Sequence, residues 1–359
     1  MTLNRQQFLG LTAATTTAAA LPVEGSLRGV AGRHGFMFGA AVRSGALIAD
    51  PRYRALVTHE CGLATPEGEL KWNAVDADRG YDFHRAEAIQ AMLALSGVRL
   101  RGHTLVWHNA LPRWAELALA SPETGRRTLA DHIQAVMAAW RGRIDSWDVV
   151  NEALDPGEAD GMRRSPAFRG VGPDYVEVAF RTARDAAPTA ELVYNDYGLE
   201  GTDGRSEAKR RALLRLIEQL KSRDTPIDAV GLQAHLSLEQ AFDQPSYAAF
   251  VRKLSGLGVD IHVTELDVAD HSTEAVPVRD RRIADRAEEF LDAVLDTPRA
   301  RSIMTWGLTD LYSWLNDWGR YYRRDLTPAR ALPFDASYRP KPMADGIRRA
   351  MRGAPSRAA

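Results

Sequence analysis

The sequence is poor in several features that would identify other classes of protein. Its 359 residues include one cysteine, Cys61, so no disulfide can form within the chain, and cysteine usage does not indicate a compartment. The formal net charge is −1, which gives no overall field to attract nucleic acid or an anionic membrane. No apolar run is long enough to span a bilayer, and no glycine-rich phosphate loop is found. We therefore expect no nucleic-acid partner, no membrane span and no cofactor, and we interpret Cys61 as a core residue.

The N-terminal segment, residues 1–25, has the composition of an export signal. Arg5 precedes an apolar stretch at residues 11–21, which contains the small residues Ala18, Ala19 and Ala20 near its end. The run that begins at Arg5 faintly resembles a twin-arginine signal but lacks the second arginine. We expect export to the periplasm or the medium, with cleavage between about Ala20 and Gly25; a disordered tail is the alternative.

Strand-like and helix-like segments alternate along the rest of the chain. The strand candidates are residues 36–42, 62–66, 98–107, 144–153, 192–197, 229–235, 259–267 and 302–307. The helix candidates include residues 85–94, 129–140, 175–186, 206–222, 247–254 and 282–295. This alternation predicts a parallel sheet with helical crossovers, and eight units most simply close into a (β/α)₈ TIM barrel of the α/β class. An open doubly wound sheet is the second choice, because the phosphate loop that it usually carries is missing.

We expect residues 26–359 to form one catalytic barrel without an appended module, in a protein that acts as a monomer. The segment from Pro333 onward is rich in proline and arginine, and we expect it to wrap or cap the barrel before fraying.

Two of the predicted strands end in a carboxylate. Residues 144–153 run through β-branched residues to Asn151 and Glu152, and residues 259–267 repeat the pattern around Glu265. A carboxylate at the end of a buried strand is costly to desolvate unless it has partners or a catalytic task. The pair therefore suggests acid/base chemistry.

Polar and aromatic side chains gather at the same end of nearly every predicted strand, where TIM barrels build their active sites. The set comprises Glu67, Lys71, His103, Trp107, His108, Asn151, Glu152, Asn195, Asp196, Tyr197, Gln233, His235, Glu265, Asp267 and Trp306. Any one of them has an ordinary structural explanation, such as a satisfied core histidine or a helix cap. Those explanations do not account for their coincidence at one end.

This set suits glycoside hydrolysis, in which one carboxyl group protonates the leaving oxygen and another attacks or activates water. The rival interpretation is a metal-dependent hydrolase, since nine histidines are present. Inward-facing ligands on one strand should lie two residues apart, whereas His103 and His108 are five apart and His262 precedes its strand end. We therefore expect no metal site.

The chain resembles the xylanases of glycoside hydrolase family 10 from about Phe36 to Met351. The motifs that carry the resemblance are Trp147-Asp148-Val149-Val150-Asn151-Glu152-Ala153, Thr264-Glu265-Leu266-Asp267, Arg101-Gly102-His103-Thr104-Leu105-Val106-Trp107-His108, Tyr194-Asn195-Asp196-Tyr197, Gly231-Leu232-Gln233-Ala234-His235 and Trp306-Gly307-Leu308-Thr309-Asp310. Phe334-Asp335 and Pro340-Lys341-Pro342 belong to the same pattern. The resemblance implies a (β/α)₈ barrel that cleaves β-1,4-xylan internally with retention of configuration.

The resemblance also implies roles for individual residues. Glu152 would be the general acid and then the base, and Glu265 the nucleophile. Asn151 would bind the sugar 2-hydroxyl, and His235 would bind Glu265 while Asp267 orients it. The implied residues of the −1 subsite are Lys71, His103, Trp107, Gln233 and Trp306. The implied residues of the −2 subsite are Glu67, Lys71 and Trp314.

Three positions depart from the family's usual pattern. Gly68, Ala110 and Gly198 stand where asparagine, glutamine and asparagine are usual. Gly68 and Ala110 fall where side chains of the family bind the −2 sugar, so we expect a weakened, roomier −2 subsite. The alternatives that stay open are compensation by nearby loops, a related barrel glycosidase or transglycosylase acting on other β-1,4-glycans, and a non-catalytic carbohydrate-binding barrel.

Overall fold

The computed structural model describes residues 23–317, residue 319 and residues 323–355. Its strands are β1 (Met37–Val42), β2 (Leu63–Pro66), β3 (Arg99–Gly102), β4 (Val106–Trp107), β5 (Ile144–Asn151), β6 (Glu191–Asp196), β7 (Ala229–Leu232), β8 (His235–Ser237), β9 (Asp260–Ala269) and β10 (Ala300–Thr305). The export signal predicted for residues 1–25 lies almost entirely outside the described residues.

Helices follow most of the strands and surround the sheet. They are α1 (Leu27–Arg33), α2 (Ser44–Ala49), α3 (Pro51–Glu60), α4 (Trp72–Val75), α5 (His84–Ala94), α6 (Arg113–Leu119), α7 (Gly125–Ala139), α8 (Pro166–Val171), α9 (Tyr175–Ala186), α10 (Gly204–Ser222), α11 (Gln244–Gly256), α12 (Val276–Leu295) and α13 (Pro342–Gly353). In the described part of the chain, no helix combines the length and the apolar character needed to cross a bilayer.

The sheet closes into a parallel barrel. The strands run in the order β1, β2, β3, β5, β6, β7, β9 and β10, and β10 pairs with β1 to complete the ring. Two short strands extend this order at the carboxyl ends, β4 beside β5 and β8 beside β9. The (β/α)₈ prediction is confirmed, and the open doubly wound sheet is wrong because the first and last strands are paired.

Two of the predicted strands lie where they were expected, but each is interrupted in the structure. Residues 98–107 divide into β3 and β4, and residues 229–235 divide into β7 and β8. The second interruption coincides with Ala234, which has a positive φ of 61°. A residue in the left-handed region cannot continue a strand, so the chain turns before His235 and re-enters the sheet beside β9.

The C-terminal segment, which the sequence predicts to wrap or cap the barrel, contains a helix that the sequence reading does not identify. This helix, α13, packs against α12 and α1. Pro342 occupies the start of this helix, where a missing backbone N–H has no cost. Met343, Ile347 and Met351 recur at every fourth residue and are fully buried, so the helix adds an apolar face to the core.

Candidate active site

The carboxyl ends of the barrel strands bring the predicted residues together. The register places Trp107 of β4 opposite Asn151 of β5, and Asn151 opposite Asn195 of β6. On the other side, β8 places His235 opposite Asp267 of β9. Each side chain is thus positioned by a paired strand rather than by a free loop, which limits its movement.

Glu265 lies on β9 and is 4 % exposed. Its Oε2 is 3.1 Å from His235 Nε2, and its Oε1 accepts a hydrogen bond from Asn195 Nδ2 at 2.7 Å. Burial alone would raise the pKa of Glu265, but the His235 hydrogen bond and the nearby His103 and His235 imidazoles outweigh it and lower the pKa. The carboxyl group is therefore held in its ionised form.

His235 is itself held between two carboxylates. Its Nδ1 is 3.0 Å from Asp267 Oδ1, and Asp267 Oδ2 accepts a hydrogen bond from Trp314 Nε1 at 2.6 Å. Burial lowers the pKa of His235, but the Asp267 and Glu265 carboxylates raise it well above its ordinary value. Both ring nitrogens of the resulting imidazolium donate, which fixes the ring between Glu265 and Asp267.

Glu152 has the opposite electrostatic environment. Its Oε1 accepts hydrogen bonds from Gln233 Nε2 at 3.1 Å and from Asn151 Nδ2 at 3.2 Å. Burial is the main reason that the pKa of Glu152 is raised, and the charges of Asp196 and Glu265 add to it. Glu152 therefore keeps its proton to a higher pH than Glu265 does, which is the order expected of an acid and a nucleophile.

A chain of amides connects the two carboxyl groups. Asn195 Nδ2 donates to Asn151 Oδ1 at 2.9 Å as well as to Glu265, and Thr264 Oγ1 donates to Asn195 Oδ1 at 2.7 Å. Gly231 on β7 leaves room for this arrangement, because a Cβ there would lie 2.2 Å from Asn195 Oδ1. The amide network fixes the positions of both carboxyl groups relative to each other.

The backbone at Glu152 is in the left-handed region, with φ at 60°. Such a conformation in a residue other than glycine costs about 1–3 kcal/mol and persists only where the surroundings hold it. Here Glu152 N donates to Asn195 O at 2.9 Å, and Arg163 Nε donates to Glu152 O at 2.9 Å. These two backbone hydrogen bonds hold Glu152 in this conformation directly after β5.

Aromatic rings and one lysine form the wall beside these carboxyl groups. Trp306 contacts His103 with ring centroids 5.2 Å apart, and the Lys71 ammonium lies 4.7 Å from the Trp107 ring and 5.7 Å from the Trp306 ring. His103 is oriented by Asp148, 2.9 Å from its Nδ1. This combination of aromatic faces and a few polar groups is typical of a site that binds a small molecule.

Glu67, which follows β2, is bound by an arginine. Its two oxygens accept from Arg43 Nε at 2.7 Å and Arg43 Nη2 at 2.8 Å. Burial raises the pKa of Glu67, and the Arg43 hydrogen bonds partly offset this. Nearby, Gly68 has open space at its Cβ position, and Ala110 is buried.

All the residues predicted for the site lie at this end of the barrel. The set consists of Glu67, Lys71, His103, Trp107, Asn151, Glu152, Gln233, His235, Glu265, Asp267, Trp306 and Trp314. His108 is also present, with its Nδ1 3.9 Å from Glu152 Oε2. His262 is not, because it pairs with Glu191 at the beginning of the strands. Among the described residues, no group of three or more His, Cys, Asp or Glu side chains could hold a metal ion.

Sequence reasoning missed several supporting residues. Arg43 follows β1 and could have been found by the rule that selected the others, namely a polar side chain at the carboxyl end of a strand. Arg101 and Lys209 are different, because each is buried against an aspartate, Asp148 and Asp196 respectively. Only the folded chain brings those partners together.

Comparisons with known proteins agree with this site. The model of the family described as glycosyl hydrolase family 10 matches residues 26–350. The chain is similar to endo-1,4-beta-xylanase B of Thermotoga neapolitana, with 33% identity over 84% of this chain and 83% of the relative. It is also similar to endo-1,4-beta-xylanase A of Fusarium oxysporum f. sp. lycopersici, with 39% identity over 72% of this chain and 79% of the relative.

Solved structures give the same result. Xylanase 10B from Thermotoga petrophila, crystallised in complex with xylobiose, is 31% identical, with a TM-score of 0.83 over 91% of this chain and 97% of its own. Native xylanase 10B from Thermotoga maritima is 32% identical, with a TM-score of 0.82 over 91% of this chain and 98% of its own. The likeness therefore extends over almost the entire barrel.

Proposed function

The chain belongs to glycosyl hydrolase family 10, and on this premise we propose that it is an endo-1,4-β-xylanase with Glu152 and Glu265 as its catalytic pair. The observation that carries the proposal is the contrast between the two carboxyl groups. Burial raises the pKa of Glu152, whereas His235 and His103 lower that of Glu265. One group can thus donate a proton while the other attacks.

In the first step, the Glu265 carboxylate attacks the anomeric carbon, and the bond to the leaving oxygen breaks as Glu152 protonates that oxygen. The product is a covalent xylosyl–enzyme ester and a shortened chain. In the second step, Glu152, now ionised, takes a proton from water, and the water oxygen attacks the anomeric carbon and releases Glu265. Two inversions give net retention.

The substrate-binding residues that the family resemblance implies lie around this pair, and the proposal assigns them to subsites as the resemblance does. Asn151 lies between Glu152 and Asn195, where it can bind the 2-hydroxyl of the sugar at the cleaved bond. The remaining residues of the −1 subsite are Lys71, His103, Trp107, Gln233 and Trp306. Those of the −2 subsite are Glu67, Lys71 and Trp314. Because Gly68 and Ala110 lack polar side chains there, the −2 subsite should bind weakly.

The direct test is product analysis on glucuronoxylan, arabinoxylan and cello-oligosaccharides. A family of xylo-oligosaccharides released early from xylan, with little cleavage of the cello-oligosaccharides, is the expected result. Preferential cleavage of cello-oligosaccharides would favour a barrel glycosidase for another β-1,4-glycan. If Glu265→Ala keeps the activity of the wild type, the assignment of the catalytic pair is wrong.

The proposal also includes export of the protein and a monomeric state. Arg5 and the apolar residues 11–21 support export, and cleavage is expected between about Ala20 and Gly25. N-terminal sequencing of protein secreted by its host would locate the cleavage site. We also propose a monomer, which sedimentation of the purified enzyme at several concentrations would test.

A further inference from the structure

Arg43 connects two parts of the site that are far apart in the sequence. It follows β1 directly, and its Nε and Nη2 bind both oxygens of Glu67 at 2.7 Å and 2.8 Å. Its Nη1 is 2.5 Å from Oδ2 of Asp317. A planar guanidinium that binds one carboxylate with two parallel hydrogen bonds fixes its orientation as well as its position.

The first consequence concerns Lys71. Its ammonium lies over the Trp107 and Trp306 rings, and among the described residues it has no ion pair or side-chain hydrogen bond. The neighbouring Glu69 is occupied with the backbone N–H groups of Ser44 and Gly68, at 2.6 Å and 3.2 Å. Because Arg43 also holds Glu67, all three ammonium hydrogens of Lys71 are left to donate to a ligand.

The second consequence concerns Trp314. Asp317 N donates to Trp314 O at 3.0 Å, so the ion pair with Arg43 ties the segment that carries Trp314 to the end of β1. The Trp314 indole is fixed at its other end by Asp267. Arg43 thereby sets the distance between Glu67 on one side of the −2 subsite and Trp314 on the other.

We propose that Arg43 is the positioning residue that determines the strength of the −2 subsite, by holding Glu67 away from Lys71 and by anchoring the Trp314 segment. This inference rests on the proposed function, because it takes Glu67, Lys71 and Trp314 as ligands of the −2 sugar. It acts where Gly68 and Ala110 provide no polar side chain. The subsite thus depends on an ion pair instead of side-chain amides.

The test compares two chromogenic substrates, 4-nitrophenyl β-xylobioside, which occupies the −2 and −1 subsites, and 4-nitrophenyl β-xyloside, which occupies −1 alone. In Arg43→Ala, kcat/KM should fall about tenfold on the xylobioside, the loss expected for one charge-assisted hydrogen bond. On the xyloside it should change less than about twofold. A parallel fall on both substrates, or no change on either, would overturn the inference.

Arg330→Ala is the matched control. Arg330 binds both oxygens of Asp280 at 2.7 Å, and its side chain is 24% exposed, against 30% for Arg43. It takes no part in the site, so neither substrate should be affected. If the wild type releases no xylo-oligosaccharides from xylan, the proposed function fails. If it does and Arg43→Ala leaves the ratio of kcat/KM on the two chromogenic substrates unchanged, only this inference fails.

A double-mutant cycle separates an effect through Glu67 from a direct one. If Arg43 acts mainly through Glu67, adding Arg43→Ala to Glu67→Ala should change the ratio of kcat/KM on the xylobioside to kcat/KM on the xyloside by less than about twofold. Full additivity of the two substitutions would contradict this route. Compared with Arg43→Ala, Arg43→Lys should restore only part of the wild-type ratio of kcat/KM on the two substrates. Lysine has no planar guanidinium and cannot bind both oxygens of Glu67 with two parallel hydrogen bonds.

Discussion

At the scale of single residues, the site is defined by how differently two similar side chains are surrounded. Glu152 has amide donors and two neighbouring carboxylates, whereas Glu265 is bound by His235, whose charge Asp267 stabilises. The strand-end pattern predicts both carboxylates. The same pattern could have selected Arg43, which directly follows β1. It does not predict that Arg43 pairs with Glu67, 24 residues further along the chain, and with Asp317, which lies much further along.

The opposed shifts predict a bell-shaped dependence of kcat/KM on pH. On the acid side, activity should be lost as Glu265 is protonated, at a pH below the ordinary glutamate pKa of 4.5. On the basic side, it should be lost as Glu152 loses its proton, at a pH above 4.5. The apparent values belong to the coupled pair.

The substrate provides the control for that profile. With xylotetraose, departure of the sugar needs the Glu152 proton, so the basic limb should be pronounced. With 2,4-dinitrophenyl β-xylobioside, whose leaving group needs no proton, the basic limb should be much weaker. Identical basic limbs on the two substrates would contradict the role of Glu152 as the acid.

Gly68→Asn should strengthen the −2 subsite. A Cβ at Gly68 meets no atom within 4 Å, so a side chain can begin there without a clash. One restored hydrogen bond contributes about 0.5–1.5 kcal/mol, and kcat/KM on xylotriose should rise accordingly. Gly68→Ala, which adds the Cβ without the amide, is the control. No difference between the two variants would show that the missing amide does not limit binding.

At the scale of secondary structure, the alternation of apolar residues was sufficient to locate the barrel strands but not their interruptions. The break between β7 and β8 depends on the positive φ of Ala234, and alanine gives no sequence signal for it. Helix α13 could have been found, since Pro342 marks a start and Met343, Ile347 and Met351 recur at helical spacing. Its proline and arginine content instead led to the prediction of a segment that wraps or caps the barrel, with no helix assigned to it.

Ile347→Ala tests whether α13 belongs to the core. Ile347 is 0 % exposed and joins the main hydrophobic cluster, so truncation should lower the free energy of unfolding by about 2–5 kcal/mol. Urea unfolding gives the measurement. Arg352→Ala, at an exposed position of the same helix, should stay within about 0.5 kcal/mol of the wild type. Equal effects of both substitutions would contradict the packing of this helix.

At the scale of the whole molecule, we expect residues at the carboxyl ends of the strands to determine activity and residues at the opposite end of the barrel to affect only stability. The end where the strands begin carries its own partly buried polar cluster, in which His262 Nε2 lies 3.0 Å from Glu191 Oε1 and His262 Nδ1 lies 2.7 Å from Ser302 Oγ. Eight alternating units predict that the strands form a ring. Which charges pair across the ring could not be predicted, because that depends on strand register.

Glu191→Gln should change stability without changing activity. Burial would raise the pKa of Glu191, but His262, Ser146 and Arg101 outweigh it and lower the pKa to about 2. A lowered folded pKa stabilises the protein above the ordinary value of 4.5, and this contribution is lost as the pH falls toward about 2.

The free energy of unfolding should therefore differ between wild type and Glu191→Gln by on the order of 2–3 kcal/mol at neutral pH. The difference should shrink between pH 4.5 and 2. Glu218→Gln, at an exposed position of α10, should show no such convergence. A constant gap across this range, or a large loss of kcat/KM in Glu191→Gln, would contradict the separation of the two ends.

The central claim is that Glu265 forms the covalent bond to the sugar while Glu152 moves the proton. Incubation with 2,4-dinitrophenyl 2-deoxy-2-fluoro-β-xylobioside tests it directly, because the fluorine slows both steps and the good leaving group preserves the first. Peptide mass spectrometry should find one fluoroxylobiosyl group on the peptide that contains Glu265. A label on Glu152, or an unlabelled enzyme that releases a product of inverted configuration, would contradict the account.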